Sequence, residues 1–194
     1  MSNSKSHLKV RCLTEGAIMV ALAFVLSFIK AIELPQGGSI SFTMLPLLLY
    51  AVRWGIGPGV LAGFAFGVLH MFMDGAVAWG WQSMLLDYMV AFAALGLAGV
   101  GYRKKGGIIW GSLVGCFARF VVHFISGVTI YRLAAGTTGS VFGMETASSF
   151  VYSLLYNGWY MLPSTILCVG LFAILYKPLK KYFTGEDLQA KSAS

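Results

Sequence analysis

Charge is what this sequence has least of. Asp, Glu, Lys and Arg together make up 11% of its 194 residues, and only 7 positions are acidic. Soluble domains carry about 25% charged residues to keep their surfaces in water, so a water-facing exterior is excluded. Cysteine is equally sparse. Cys12, Cys116 and Cys168 lie far apart in apolar stretches with no CxxC pair and no histidines at zinc spacing, and they read as reduced packing residues. Catalytic and nucleotide signatures are missing as well: there is no GxxxxGK[ST] loop, no GxGxxG turn, no GxSxG elbow and no HExxH helix. This chain therefore cannot couple ATP hydrolysis to movement by itself, and it is not expected to be an enzyme or to need a cofactor.

Hydrophobic residues fill 58% of the chain, and the mean hydropathy is +0.77. That is more apolar surface than a core of this size can bury, so lipid is the expected solvent. The 24 glycines and 14% aromatics suit helices that pack closely through small residues and anchor at interfaces through rings. Apolar runs separated by turn or charge signals predict an all-α polytopic membrane protein with six transmembrane helices, at 12–33, 40–53, 56–73, 79–101, 107–134 and 148–178. The second run is short for a bilayer of ~30 Å and contains Pro46. The first run, about 20 residues long without a small-x-small cleavage site, reads as a retained helix and not as a signal peptide. Residues 1–183 form one domain in this reading, with 184–194 as a disordered tail.

A formal charge of +7 raises the question of nucleic acid, but the basic residues sit in short clusters between apolar runs. With six spans, the clusters at Lys5, Lys9, Arg11, Arg53, Arg103, Lys104, Lys105, Lys177, Lys180 and Lys181 all fall on one side, and both termini are expected in the cytoplasm of a cell-membrane protein. Membrane orientation accounts for the charge, so no nucleic-acid partner is expected.

That topology assigns a depth to each polar residue. Asp87 lies about 12 Å below the outer end of the fourth helix, His123 about 16 Å below that of the fifth, and Tyr152 and Asn157 occupy the first turns of the sixth. Four polar side chains from three helices thus share the outward half of the bundle. An intramembrane carboxylate needs a cation or a wet cavity. Asp87 is therefore either the partner of Arg119 or the counter-ion of a positively charged ligand, and the two readings can coexist. Arg119 and His123, four residues apart, form one wall of the fifth helix, extended outward by Tyr131. Trp81, Gln82 and Tyr88 accompany Asp87 on the fourth helix, where Trp79 and Trp81 serve either as interfacial anchors or as stacking faces. A flat heteroaromatic cation needs such faces, a few hydrogen bonds and one carboxylate. On the first helix, Ala17 and Ala21 form an AxxxA strip for close helix packing, within the bundle or against a partner subunit. Two rival readings are an integral-membrane enzyme using Asp87 and His123 as acid and base, and an ion-driven transporter.

Several segments together resemble one family. They are ELPQGGSIS at Glu33–Ser41 followed by MLPLLLYAVRWGIGPG, WQSMLLDYMVAFAALGLAG at Trp81–Gly99, RFVVHFISGV at Arg119–Val128 and YSLLYNGWYMLP at Tyr152–Pro163. The chain resembles the thiamine-specific substrate-binding subunits (S components, ThiT-like) of energy-coupling factor transporters. The resemblance implies a six-helix subunit with an outward-facing thiamine site, no activity of its own, and partners in a transmembrane coupling subunit and two cytoplasmic ATPases; the alternative within the same fold is a subunit for another vitamin or a thiamine precursor. It maps the family's ligand contacts onto Asp87, Tyr88, Arg119, His123, Tyr152 and Asn157, and a stacking position onto Tyr131. Part of the coupling-subunit contact maps onto Ala17 and Ala21. Where some relatives carry glutamate, Asp87 is one methylene shorter.

Overall fold

Long apolar runs satisfy their backbone hydrogen bonds internally only as helices, which is why the chain folds almost wholly into them. A computed structural model describes residues 2–34, 38–73, 80–134, 139–141, 144–146 and 148–189. Helix α1 covers Ser2–Ser27, strands β1 and β2 cover Lys30–Glu33 and Ser39–Ser41, and α2 and α3 cover Met44–Trp54 and Ile56–Met73. Helix α4 runs over Trp81–Gly101 and α5 over Gly107–Ala134. Strands β3 (Gly139–Val141) and β4 (Met144–Thr146) form a second hairpin before α6 (Ser149–Phe183) and a short α7 (Glu186–Gln189).

Five of these helices, α1 and α3–α6, are long and apolar enough to cross a membrane. The expected second span is different. Helix α2 has 11 residues, about 16 Å of rise, or roughly half a bilayer core. Pro46, Leu47, Leu48, Ala51 and Val52 on it are fully buried or nearly so, which makes it a core helix wrapped by the others. Gly55 separates α2 from α3 by a single residue at φ +92°, a left-handed value that suits glycine.

The first helix also departs from expectation. It ends at Ser27, and residues 30–33 pair antiparallel with 39–41 through Lys30↔Ser41, Ile32↔Ile40 and Glu33↔Ser39. Pro35 disfavours helix at the preceding residue, and Lys30 and Glu33, the two ends of β1, pair at 2.7 Å. The last helix reaches further than expected, continuing through both Pro163 and Pro178 to Phe183. Just beyond it, within the segment assigned to a tail by its composition, lies the short α7, whose Asp187 meets Arg53 at 3.2 Å. Residues 190–194 lie outside the described residues.

Close helix approach depends on a glycine stripe. Gly59, Gly63 and Gly67 recur every fourth residue on α3, and a side chain at the last two would run into the carbonyls of Phe92 and Tyr88 on α4. Gly96 and Gly99 answer from α4 against Val60 and Ile56. Backbones can meet only where no Cβ intervenes, and this seam sets α4 firmly against α3. The core beside it contains Leu47, Leu48, Val52, Phe66, Phe92, Leu95 and Phe172. Outside, large apolar residues such as Leu13, Phe72, Phe117, Leu162 and Ile174 are exposed, as a lipid-facing surface requires.

Candidate functional site

Midway along α4 the winding loosens into a π-helical stretch over Met84–Val90. A wider turn brings residues four or five apart onto one face, and Ser83, Asp87, Tyr88 and Phe92 all line the same cavity. The cavity holds about 170 Å³. Its other walls are Arg119, His123, Ser126 and Ile130 of α5, with Tyr152, Tyr156, Asn157 and Tyr160 of α6. Gly38 and Ser39 at the first hairpin, Thr43 and Met44 entering α2, and His70 of α3 close the remaining sides.

Asp87 is the centre of the polar network. Its carboxylate accepts from Ser83 Oγ at 2.6 Å and Ser126 Oγ at 2.8 Å, both on Oδ2, and meets His123 Nδ1 at 3.0 Å on Oδ1. Two hydroxyl donors and an imidazole nitrogen thus surround the carboxylate, the polar company a buried one requires. Arg119 is not its direct partner. The Arg119 Nε–H donates to His123 Nε2 at 3.3 Å, while the guanidinium lies 4.0 Å from the centre of the Phe92 ring. The imidazole thus stands between the aspartate and the arginine.

The α6 wall is aromatic with one amide in it. Tyr152, Tyr156 and Tyr160 recur at helical spacing, the first two rings parallel to within 3° at 5.9 Å. Tyr160 stands edge-on to His123 and donates to Asn157 Oδ1 at 3.0 Å. Asn157 Nδ2 in turn donates to the His123 carbonyl and to Ser153, so α5 and α6 are bonded at the depth of the imidazole. Tyr156 OH accepts from the Gly38 amide at 3.3 Å, which seats the hairpin on the same wall.

Of the residues singled out from sequence, Asp87, Tyr88, Arg119, His123, Tyr152 and Asn157 come together here. Trp81 and Gln82 do not: both lie in the first turn of α4, exposed, with Trp81 at 67%. Tyr131 falls within α5, but its side chain lies outside the described residues. Ala17 and Ala21 are exposed on α1 and do not line the cavity. Sequence reasoning missed Ser83 and Ser126. Their signal was available: Ser83 stands four residues before Asp87 and Ser126 three after His123, each one turn away on a polar face.

Comparison with known proteins bears on this arrangement. The model of a family described as thiamine transporter protein (Thia_YuaJ) matches residues 13–184. The chain is 33% identical to the thiamine transporter ThiT of Bacillus subtilis over 191 residues, covering 91% of this chain and 94% of that one. It is 26% identical to ThiT of Lacticaseibacillus paracasei over 202 aligned positions, with 94% and 95% covered. A solved structure of ThiT from Listeria monocytogenes superposes with a TM-score of 0.75 at 26% identity, covering 90% of this chain and 98% of that one.

Proposed function

The chain belongs to the thiamine transporter protein family, a family of transporters and not of enzymes, and we propose that the cavity around Asp87 is where it captures thiamine. It is a multi-pass membrane protein that takes part in thiamine uptake. The observation that supports this site most directly is a carboxylate set among tyrosine, histidine and phenylalanine rings. A thiazolium carries a fixed positive charge, so it gains both the attraction of Asp87 and cation–π contact with the aromatic wall. Tyr88, Tyr152 and Asn157 supply hydrogen bonds to the ligand's polar edges, and His123 offers a ring face.

The finer reading is that of a substrate-binding subunit in a cell membrane, with six helices, α2 among them, and both termini cytoplasmic. Its basic residues support that orientation, because Arg53, Arg103, Lys104, Lys105, Lys177, Lys180 and Lys181 gather at the ends of α2, α4 and α6 away from the cavity. The absence of a nucleotide motif supports dependence on partners, namely a transmembrane coupling subunit and two ATPases. The exposed Ala17 and Ala21 offer a flat strip for the coupling subunit.

Titrating the purified protein with thiamine, its separate pyrimidine and thiazole halves, and unrelated vitamins, while following tryptophan fluorescence, tests the reading. Saturable binding of thiamine in preference to the neutral vitamins is expected; equal or absent response to all of them refutes it. In the same assay Gln82→Ala and Trp81→Phe are each expected to leave thiamine affinity within about twofold, since a change below ~0.4 kcal/mol is what a residue off the cavity contributes. A tenfold loss in either would bring the first turn of α4 into the site.

A further inference from the structure

Arg119 sits beside the ligand cavity with its positive charge turned toward a histidine. We infer that Arg119 controls cation binding through His123: it holds the imidazole neutral, with its proton on Nδ1, so that the charge of Asp87 is left for the ligand. The inference rests on the reading of the cavity as a thiamine site, and it makes Arg119 a positioning residue.

A guanidinium has no acceptor, so the 3.3 Å contact between Arg119 Nε and His123 Nε2 is a hydrogen bond only if Nε2 carries a lone pair. The single ring proton must then be on Nδ1, where it points at Asp87 Oδ1, 3.0 Å away. A doubly protonated ring would set Nε2–H against the Arg119 N–H and place two like charges side by side. Arg119 therefore opposes the state in which His123 would become an imidazolium paired with Asp87. Without that restraint, a histidine in contact with a carboxylate readily takes a second proton and neutralises it. The incoming cation would then compete with an ion already in place.

Other groups around the ring do not alter this. Tyr160 of α6 meets His123 by its ring edge at 6.2 Å and has its hydroxyl committed to Asn157. Ser83 and Ser126 are neutral donors to Asp87. Phe92 stacks on the guanidinium and holds it at the level of the imidazole. Arg119 is therefore the charged group that decides whether His123 or the ligand balances Asp87.

The test is 15N spectroscopy of histidine-labelled protein without ligand at neutral pH, with the His123 signals assigned by their loss in His123→Gln. Wild-type protein is expected to show a protonated Nδ1 and an unprotonated Nε2. In Arg119→Met the pattern is expected to change to an imidazolium or to the opposite tautomer, with thiamine affinity falling about tenfold or more. Arg119→Lys, which keeps a cationic donor on the same stem, is expected to retain the wild-type pattern and most of the affinity. A protonated Nε2 in wild-type protein, an unchanged pattern in Arg119→Met, or a changed pattern with unchanged affinity would each overturn the inference. Failure of wild-type protein to bind thiamine defeats the proposed function instead, and the nitrogen pattern still decides what Arg119 does to His123.

Discussion

Asp87→Asn is expected to lower thiamine affinity at least a hundredfold while leaving the protein folded. The exchange preserves shape and removes one negative charge. In the native cavity the carboxylate accepts from Ser83, Ser126 and His123 and still presents its charge to the ligand. An amide has only one oxygen to offer those three donors, and its NH2 group turns a donor toward one of them. More important, a fixed cation loses its counter-ion where water is scarce. Truncating one member of a buried charge pair typically costs 2–5 kcal/mol of binding, and a hundredfold corresponds to ~2.7 kcal/mol. Asp87→Glu restores the charge with one more methylene and should recover most of the affinity. Calorimetric titration of both variants, with thermal denaturation to verify folding, checks this. An affinity for Asp87→Asn within threefold of wild type would remove Asp87 from the binding site.

The residues that make this prediction possible were legible from chain order alone, for a physical reason. Few apolar helices carry a carboxylate, so Asp87 had to face a cavity, and helical rise then placed it at the depth of His123, Tyr152 and Asn157. Its partners were harder to see. Isolated serines in apolar helices commonly bond to their own backbone, as Ser164 does to the Tyr160 carbonyl, so Ser83 and Ser126 were marked only by their one-turn spacing from Asp87 and His123. The Asp87–Arg119 pair, one of two readings left open by the sequence, is a relay through His123 in the structure, and Asp87 lies in a π-helical stretch that periodicity at 3.6 residues does not anticipate. The first hairpin escaped for a similar reason. Its strands have four and three residues, too few for an alternating pattern to stand out from the end of an apolar helix. Trp81 and Gln82 lay close to Asp87 in sequence but fall one turn too early, on the outward face.

Arg53→Met is expected to destabilise the protein by about 3–5 kcal/mol, the usual result of removing one member of a buried ionic cluster. Helix α2 runs from the cavity at Met44 to Arg53, about 13 Å away by helical rise. There the guanidinium, 5% exposed, reaches Glu15 of α1 at 3.1 Å and Asp187 of α7 at 3.2 Å, and donates to the Tyr182 carbonyl at 2.6 Å. Glu15 also accepts from Trp54 Nε1 at 2.7 Å, and Arg11 closes the ring by bonding both carboxylates. One side chain thus joins the first helix, the central short helix and the end of the chain. Methionine fills the volume but leaves two carboxylates near one another with only Arg11 between them. The cost should fall mainly on Glu15 and Asp187, so combining Arg53→Met with Glu15→Gln and Asp187→Asn should recover part of the loss, because the charges left unpaired are then gone. Thermal denaturation in detergent of the single and triple variants separates the cases. A single variant as stable as wild type would show the cluster to be solvated and worth little, as surface ion pairs usually are. If the single variant is unstable and the triple variant is no better, the anchor is the Tyr182 carbonyl bond and the packing of α7, and not the balance of charge.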